Sequence, residues 1–109
     1  MTREFIMTLV FDRLWSSLKL TDDDLRKLQT ALMTNPKIGD IIQGTGGARK
    51  VRFALPDTGK SKGIRVIYVD ITRLRQLYLI ICYPKSQQDD LTGEQKRHVK
   101  ALIETLKGI

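Results

Sequence analysis

The sequence predicts an α+β domain: a small antiparallel sheet, preceded by a helical hairpin and followed by one C-terminal helix. Three observations point there. The first third and the last 17 or so residues carry apolar side chains at helical spacing, the middle carries runs that alternate or are continuously apolar, and two helices come before the strands with one after them. A chain of 109 residues with 41% hydrophobic content is one domain, 1–109, with enough surface to bury to fold without staples.

Residues 3–7 (Arg-Glu-Phe-Ile-Met) are short and mixed and read as a first strand. Thr8 then caps a helix whose apolar positions Phe11, Leu14, Trp15 and Leu18 fall at i, i+3, i+4 and i+7. Thr21, with Asp24 three residues on, announces a second helix, and Asp22, Asp23 and Asp24 complement the positive end of its dipole. Leu25, Leu28 and Leu32 form its buried stripe, and Pro36 stops it near Asn35. Ile38–Gln43 reads as a short edge strand, and Gly44-Thr45-Gly46-Gly47 as a turn.

In Arg49–Leu55, Val51, Phe53 and Leu55 alternate with Lys50, Arg52 and Ala54, which sets Lys50 and Arg52 side by side on the face away from the core. After a polar loop, 56–63, the stretches 64–71 and 76–83 are nearly all apolar, as central strands covered on both faces should be. Thr92 and Gln95 open the last helix, Val99, Leu102, Ile103 and Leu106 line it, and Gly108 ends it.

The charge is unevenly placed. Of a net +7, residues 44–75 supply six charges: Arg49, Lys50, Arg52, Lys60, Lys62, Arg65, Arg73 and Arg75 stand against only Asp57 and Asp70. Such a run repels itself unless a polyanion meets it, so a phosphate-binding surface is expected. Arg65 is the most informative member, a charge opening a strand otherwise made of Ile, Val and Tyr. Antiparallel pairing can gather Lys50, Arg52, Arg65, Tyr83 and Lys85, offering guanidinium forks and ammonium groups for phosphate and an aromatic face for a base.

Other chemistries fail on spacing. Gly59-Lys60-Ser61 resembles the end of a P-loop, but Ala54 occupies its first glycine position and a strand, not a helix, follows. Gly44 and Gly46 begin a dinucleotide fingerprint that Arg49 breaks. One Cys (Cys82) and one His (His98) make neither a disulfide nor a zinc site, His98 lies on the polar side of its helix, and Asp89 and Asp90 serve a helix N-terminus better than a metal. No metal and no cofactor is expected. With no apolar run of about 20 residues and no signal-peptide plan at Met1–Phe5, a soluble cytoplasmic protein is expected. Charge and composition leave a phosphodiester-cleaving enzyme, a non-catalytic RNA- or ribosome-binding module and a protein-interaction module all open.

Several blocks narrow this: Leu20-Thr21-Asp22; Asn35-Pro36-Lys37-Ile38-Gly39-Asp40; Ile42-Gln43-Gly44-Thr45-Gly46-Gly47-Ala48-Arg49-Lys50-Val51-Arg52; Gly63-Ile64-Arg65-Val66-Ile67-Tyr68; and Tyr83-Pro84-Lys85-Ser86 leading to Asp89-Asp90-Leu91-Thr92. In this order they resemble the RelE/HigB family of bacterial toxin–antitoxin toxins, most of all its HigB branch. The resemblance implies a RelE-like fold and a metal-independent endoribonuclease that cleaves messenger RNA in the ribosomal A site. It also implies a cognate HigA-like antitoxin with a DNA-binding domain, through which alone the toxin meets operator DNA. By position, Arg65, Lys50, Tyr83 and Lys85 would be catalytic, with Arg52 the partner of Lys50 in the family's basic pair; the basic run itself makes Arg49, Arg52, Lys60, Lys62, Arg73 and Arg75 the expected RNA contacts.

Overall fold

A computed structural model describes residues 2–54 and 63–108. The chain runs β1 (Glu4–Met7), α1 (Leu9–Ser17), α2 (Asp22–Thr34), β2 (Asp40–Ile41), β3 (Arg49–Phe53), β4 (Ile64–Ile71), a 3-10 turn (Thr72–Leu74), β5 (Gln76–Pro84) and α3 (Gly93–Lys107). All three helix starts are where the capping residues place them. The Thr8 hydroxyl accepts from the Phe11 amide at 3.0 Å and donates to the Ile80 carbonyl at 2.7 Å, so the cap of α1 also fastens it to β5. Thr21 with Asp24 and Thr92 with Gln95 form reciprocal capping boxes. Gly108 ends α3 at a φ of 77°, where glycine costs least. Among the described residues no helix is long and apolar enough to cross a membrane.

One sheet holds the strands in the order β1-β5-β4-β3-β2, so the two most apolar strands are central as expected. Three of its four pairings are antiparallel, but β1 runs parallel to β5, with Phe5 opposite Leu77 and Met7 opposite Leu79. The expected antiparallel sheet is formed by β2–β5, and β1 joins it in parallel. No hairpin ties β1 to β5, so its direction is free to follow the helix that leaves it: α1 must start at Thr8, which binds the carbonyls of Leu79 and Ile80.

Each face of the sheet has its own core. Phe11, Trp15, Leu28 and Leu32 of the helical hairpin pack on Ile64, Val66, Tyr68, Leu77, Leu79 and Cys82. On the other face, Val99 and Ile103 of α3 cover Ile67, Val69, Ile71 and Ile80. The ladder between β4 and β5 slips by one residue, from Tyr68↔Leu79 to Ile67↔Ile81, leaving Ile80 as a bulge. That slip decides what faces the α3 side at the strand end. Continued without it, the register would set buried Cys82 opposite Arg65; with it, Tyr83 takes that position.

The segment joining α2 to β3 is clamped against the sheet. The Tyr68 hydroxyl donates to the Pro36 carbonyl at 2.8 Å and accepts from the Gly39 amide at 3.0 Å, and Arg49 donates to the Gly39 carbonyl at 2.7 Å. A Cβ on Gly39 would lie 2.8 Å from the Lys50 carbonyl oxygen and 3.0 Å from the Tyr68 ring. Gly39→Ala is therefore expected to destabilise the protein by about 1–3 kcal/mol through forced backbone movement, readable as a lower midpoint in urea unfolding. An unchanged midpoint would mean the clamp yields freely.

Candidate functional site

A group of cationic residues gathers where β3 ends, β4 begins and β5 ends. Register places Arg52 opposite Arg65 and Arg65 opposite Tyr83, a row across three strands on the α3 side. Lys50 lies two residues along β3 from Arg52 and therefore on the same face. Lys50, Arg52 and Arg65 line a depression of ≈ 310 Å³ together with Ile38, Asp40 and Val51. Pro84 does not divert the chain: it still pairs with Ile64, and the Lys85 amide donates to the Gly63 carbonyl at 3.1 Å, so Lys85 continues past the same strand end.

Arg65 is half-buried, and its Nε is buried with no hydrogen-bond partner among the described residues. A guanidinium nitrogen left so is unfavourable unless something arrives to accept from it, and a phosphate or carboxylate oxygen is the matching acceptor. Tyr83 completes the row but is only 5% exposed, and its hydroxyl reaches the Asp89 carbonyl at 3.4 Å. Burial raises its pKa, Asp90 and Asp89 push the same way, and Arg65 opposes them. A phenol held protonated is no general base near neutrality, and a covered ring is no platform for a stacked base. Its contribution is to hold the loop after β5.

That loop brings in a residue with no local signal for a place beside the cations. Asp90 ion-pairs with Lys50 at 2.7 Å, joining residues 40 positions apart in the chain. The expectation that Asp89 and Asp90 serve the start of α3 is corrected for Asp90: Thr92 and Gln95 do the capping, and the Asp90 side chain turns to the sheet. The hydrogen bond from Lys50 and then its charge hold the Asp90 carboxyl below its usual range, with Lys96 and Arg65 adding to the effect against a small cost of burial. Because this pKa is lowered on folding, the pairing is intact at neutral pH and is lost only as the pH falls through the lowered value.

Not every basic residue of the central segment joins the cluster. Arg49 shares its face with Val51 and Phe53 and spends its guanidinium on the carbonyls of Gly39 and Lys37, at 2.7 and 3.4 Å. Arg73 and Arg75 are exposed at the opposite end of the sheet. Six strand steps separate Arg65 from Ile71, which at about 3.3 Å each puts them roughly 20 Å away or more. Lys60 and Lys62 lie outside the described residues, as does Gly59-Lys60-Ser61.

Cys82 is fully buried, and burial pushes its thiol up to about 12. We expect it to resist thiol reagents at pH 8 in the native protein and to react fully once unfolded in guanidinium, as a dithionitrobenzoate time course would show; fast native labelling would contradict its burial. His98 is exposed on α3, as its place among Arg97 and Lys100 suggests.

Fold and site together define a small α+β domain with a cationic depression at one end of its sheet. The chain matches no family model. Among solved structures it is similar to a double-arginine variant of the E. coli toxin RelE in the free state, with a TM-score of 0.59 and 17% identity over 82% of this chain and 90% of that one. It is also similar to the intact E. coli RelBE toxin–antitoxin complex, with a TM-score of 0.55 and 17% identity over 74% of this chain and 94% of the matched one. The protein has the RelE fold.

Proposed function

We propose that the protein is the toxin of a type II toxin–antitoxin pair, of the HigB-like branch, and acts as a ribosome-dependent endoribonuclease on messenger RNA. On this reading it works in the cytoplasm without a metal, and a HigA-like antitoxin that also binds operator DNA restrains it. Support comes from two sides. The RelE fold is shared with a protein described as a toxin and with its complex with an antitoxin. The observation that carries the reading is the buried Nε of Arg65, unpartnered among the described residues and set in one row with Arg52 and beside Lys50.

The chemistry suited to this set is attack of a ribose 2′-hydroxyl on the adjacent phosphate, leaving a 2′,3′-cyclic phosphate and a 5′-hydroxyl. Arg65, always protonated, forks onto the phosphate oxygens and meets the charge that grows in the transition state. Arg52 adds field from the neighbouring strand. With Tyr83 held as a phenol, proton transfer falls to the lysines: the neutral amine of one, Lys50 or Lys85, takes the proton from the 2′-hydroxyl, and the ammonium of the other gives one to the departing 5′-oxygen. Lysines shared among such tasks are weak catalysts unless the substrate is held in line, which is the work assigned to the ribosome.

The test is the chemistry of the product ends. Fragments from a translated messenger should accept label from polynucleotide kinase without prior phosphatase treatment, as 5′-hydroxyl ends do. Inhibited translation with an intact messenger would make the protein an occupancy inhibitor and remove the catalytic roles.

A further inference from the structure

Asp90 pairs with Lys50, one of the cations that line the depression, as an anionic ligand would. Its carboxylate sits 2.7 Å from the Lys50 ammonium, and Lys96 and Arg65 add weaker attraction. Its side chain is 70% exposed, whereas that of Lys50 is 28% exposed. An exposed ion pair costs little to break, and the freed carboxylate has only to turn into water. The backbone around it does not depend on this contact. Gln88 donates to the Asp90 carbonyl and to Gln95 at 2.9 Å each, Tyr83 reaches the Asp89 carbonyl, and Leu91 is buried.

We infer that Asp90 is a self-supplied counter-anion, which holds Lys50 in place in the free protein and is exchanged for a phosphate of single-stranded RNA. It rests on the reading of this cluster as a phosphate site. Asp90 is thus a residue that competes with substrate and keeps the lysine ordered until substrate arrives. It also lowers the local positive charge, so that a stray single phosphate gains less than an RNA whose neighbouring phosphates engage Arg52 and Arg65 as well.

The experiment measures binding of a 2′-O-methyl RNA oligonucleotide, which has no 2′-hydroxyl to attack, by fluorescence anisotropy with the full chain. Asp90→Asn keeps the shape and removes the charge, and should tighten binding about threefold or more, within what an exposed ion pair supports. In a Lys50→Ala background the same change should gain clearly less. Equal or weaker binding by Asp90→Asn overturns the inference, since the carboxylate would then be scaffold or an aid to substrate. A measurement on the unaltered chain guards against misfolding of the variant: titrated inorganic phosphate should shift the Asp90 Cγ and Lys50 Cε resonances with one midpoint. A stationary Asp90 signal while Lys50 moves also overturns it. Should no chain bind the oligonucleotide, the phosphate-site reading and this inference fall together. Tighter binding by Asp90→Asn with an uncut messenger would uphold the inference and cost only the catalytic reading.

Discussion

Replacing Arg65 by alanine should lower messenger cleavage by about 10²–10³-fold, the loss seen when a preorganised charge donor is removed from a transition state. The fold should survive. Arg65 is the second residue of β4, and its Nε makes no hydrogen bond among the described residues that the substitution could break. Removing a half-buried cation whose nearest register partner is another arginine even relieves repulsion between Arg52 and Arg65. Far-ultraviolet circular dichroism and thermal unfolding should therefore match the wild type while cleavage is gone. Arg65→Lys should recover only a part, because an ammonium cannot fork onto two oxygens. Full activity in a folded Arg65→Ala chain would remove the arginine from the reaction.

The second large effect is on stability. Phe11 is fully buried beneath the sheet, stacked on Trp15 with ring centroids 5.3 Å apart, and Trp15 in turn meets Phe53 at 5.7 Å. Phe11→Ala removes the fully buried end of this cluster and should cost about 3–5 kcal/mol, a large share of the 5–15 kcal/mol typical of a whole domain. The midpoint of thermal unfolding should fall by about 4 °C or more for each kcal/mol. Activity should fall with it, but only as the folded fraction falls, and should return on cooling below the new transition. The two variants thus separate a residue that acts on substrate from one that acts on the fold. A shift of under about 1 kcal/mol would mean that α1 repacks over the vacancy.

Most of the architecture was legible because its signals are local. Capping residues, a proline after α2 and helical spacing mark elements within a few residues of themselves, and the structure has each helix start at its cap. The parallel direction of β1 and the bulge at Ile80 were not legible. Both are settled between strands, and within Leu77–Cys82 every residue is apolar, so no alternation exists for a slipped register to interrupt.

The site was legible in part, and for the same reason. Alternation alone puts Lys50 and Arg52 on one face, and strand pairing then delivers Arg65 and Tyr83 beside them. That same alternation separates Arg49, which shares a face with Val51, from Lys50 and Arg52. Arg73 and Arg75 are near the cluster in sequence alone, since the length of β4 carries them to the far end. Asp90 had no local signal at all, since only the folded sheet brings it to a lysine 40 residues away.

The most direct test of the central claim is to add the purified protein to a bacterial cell-free translation reaction and map new 5′ ends on the messenger by primer extension, with and without ribosomes. The account predicts cuts inside translated codons that need ribosomes and vanish with Arg65→Ala. Blocked translation with an uncut messenger, or the same cuts from the folded Arg65→Ala chain, would contradict it.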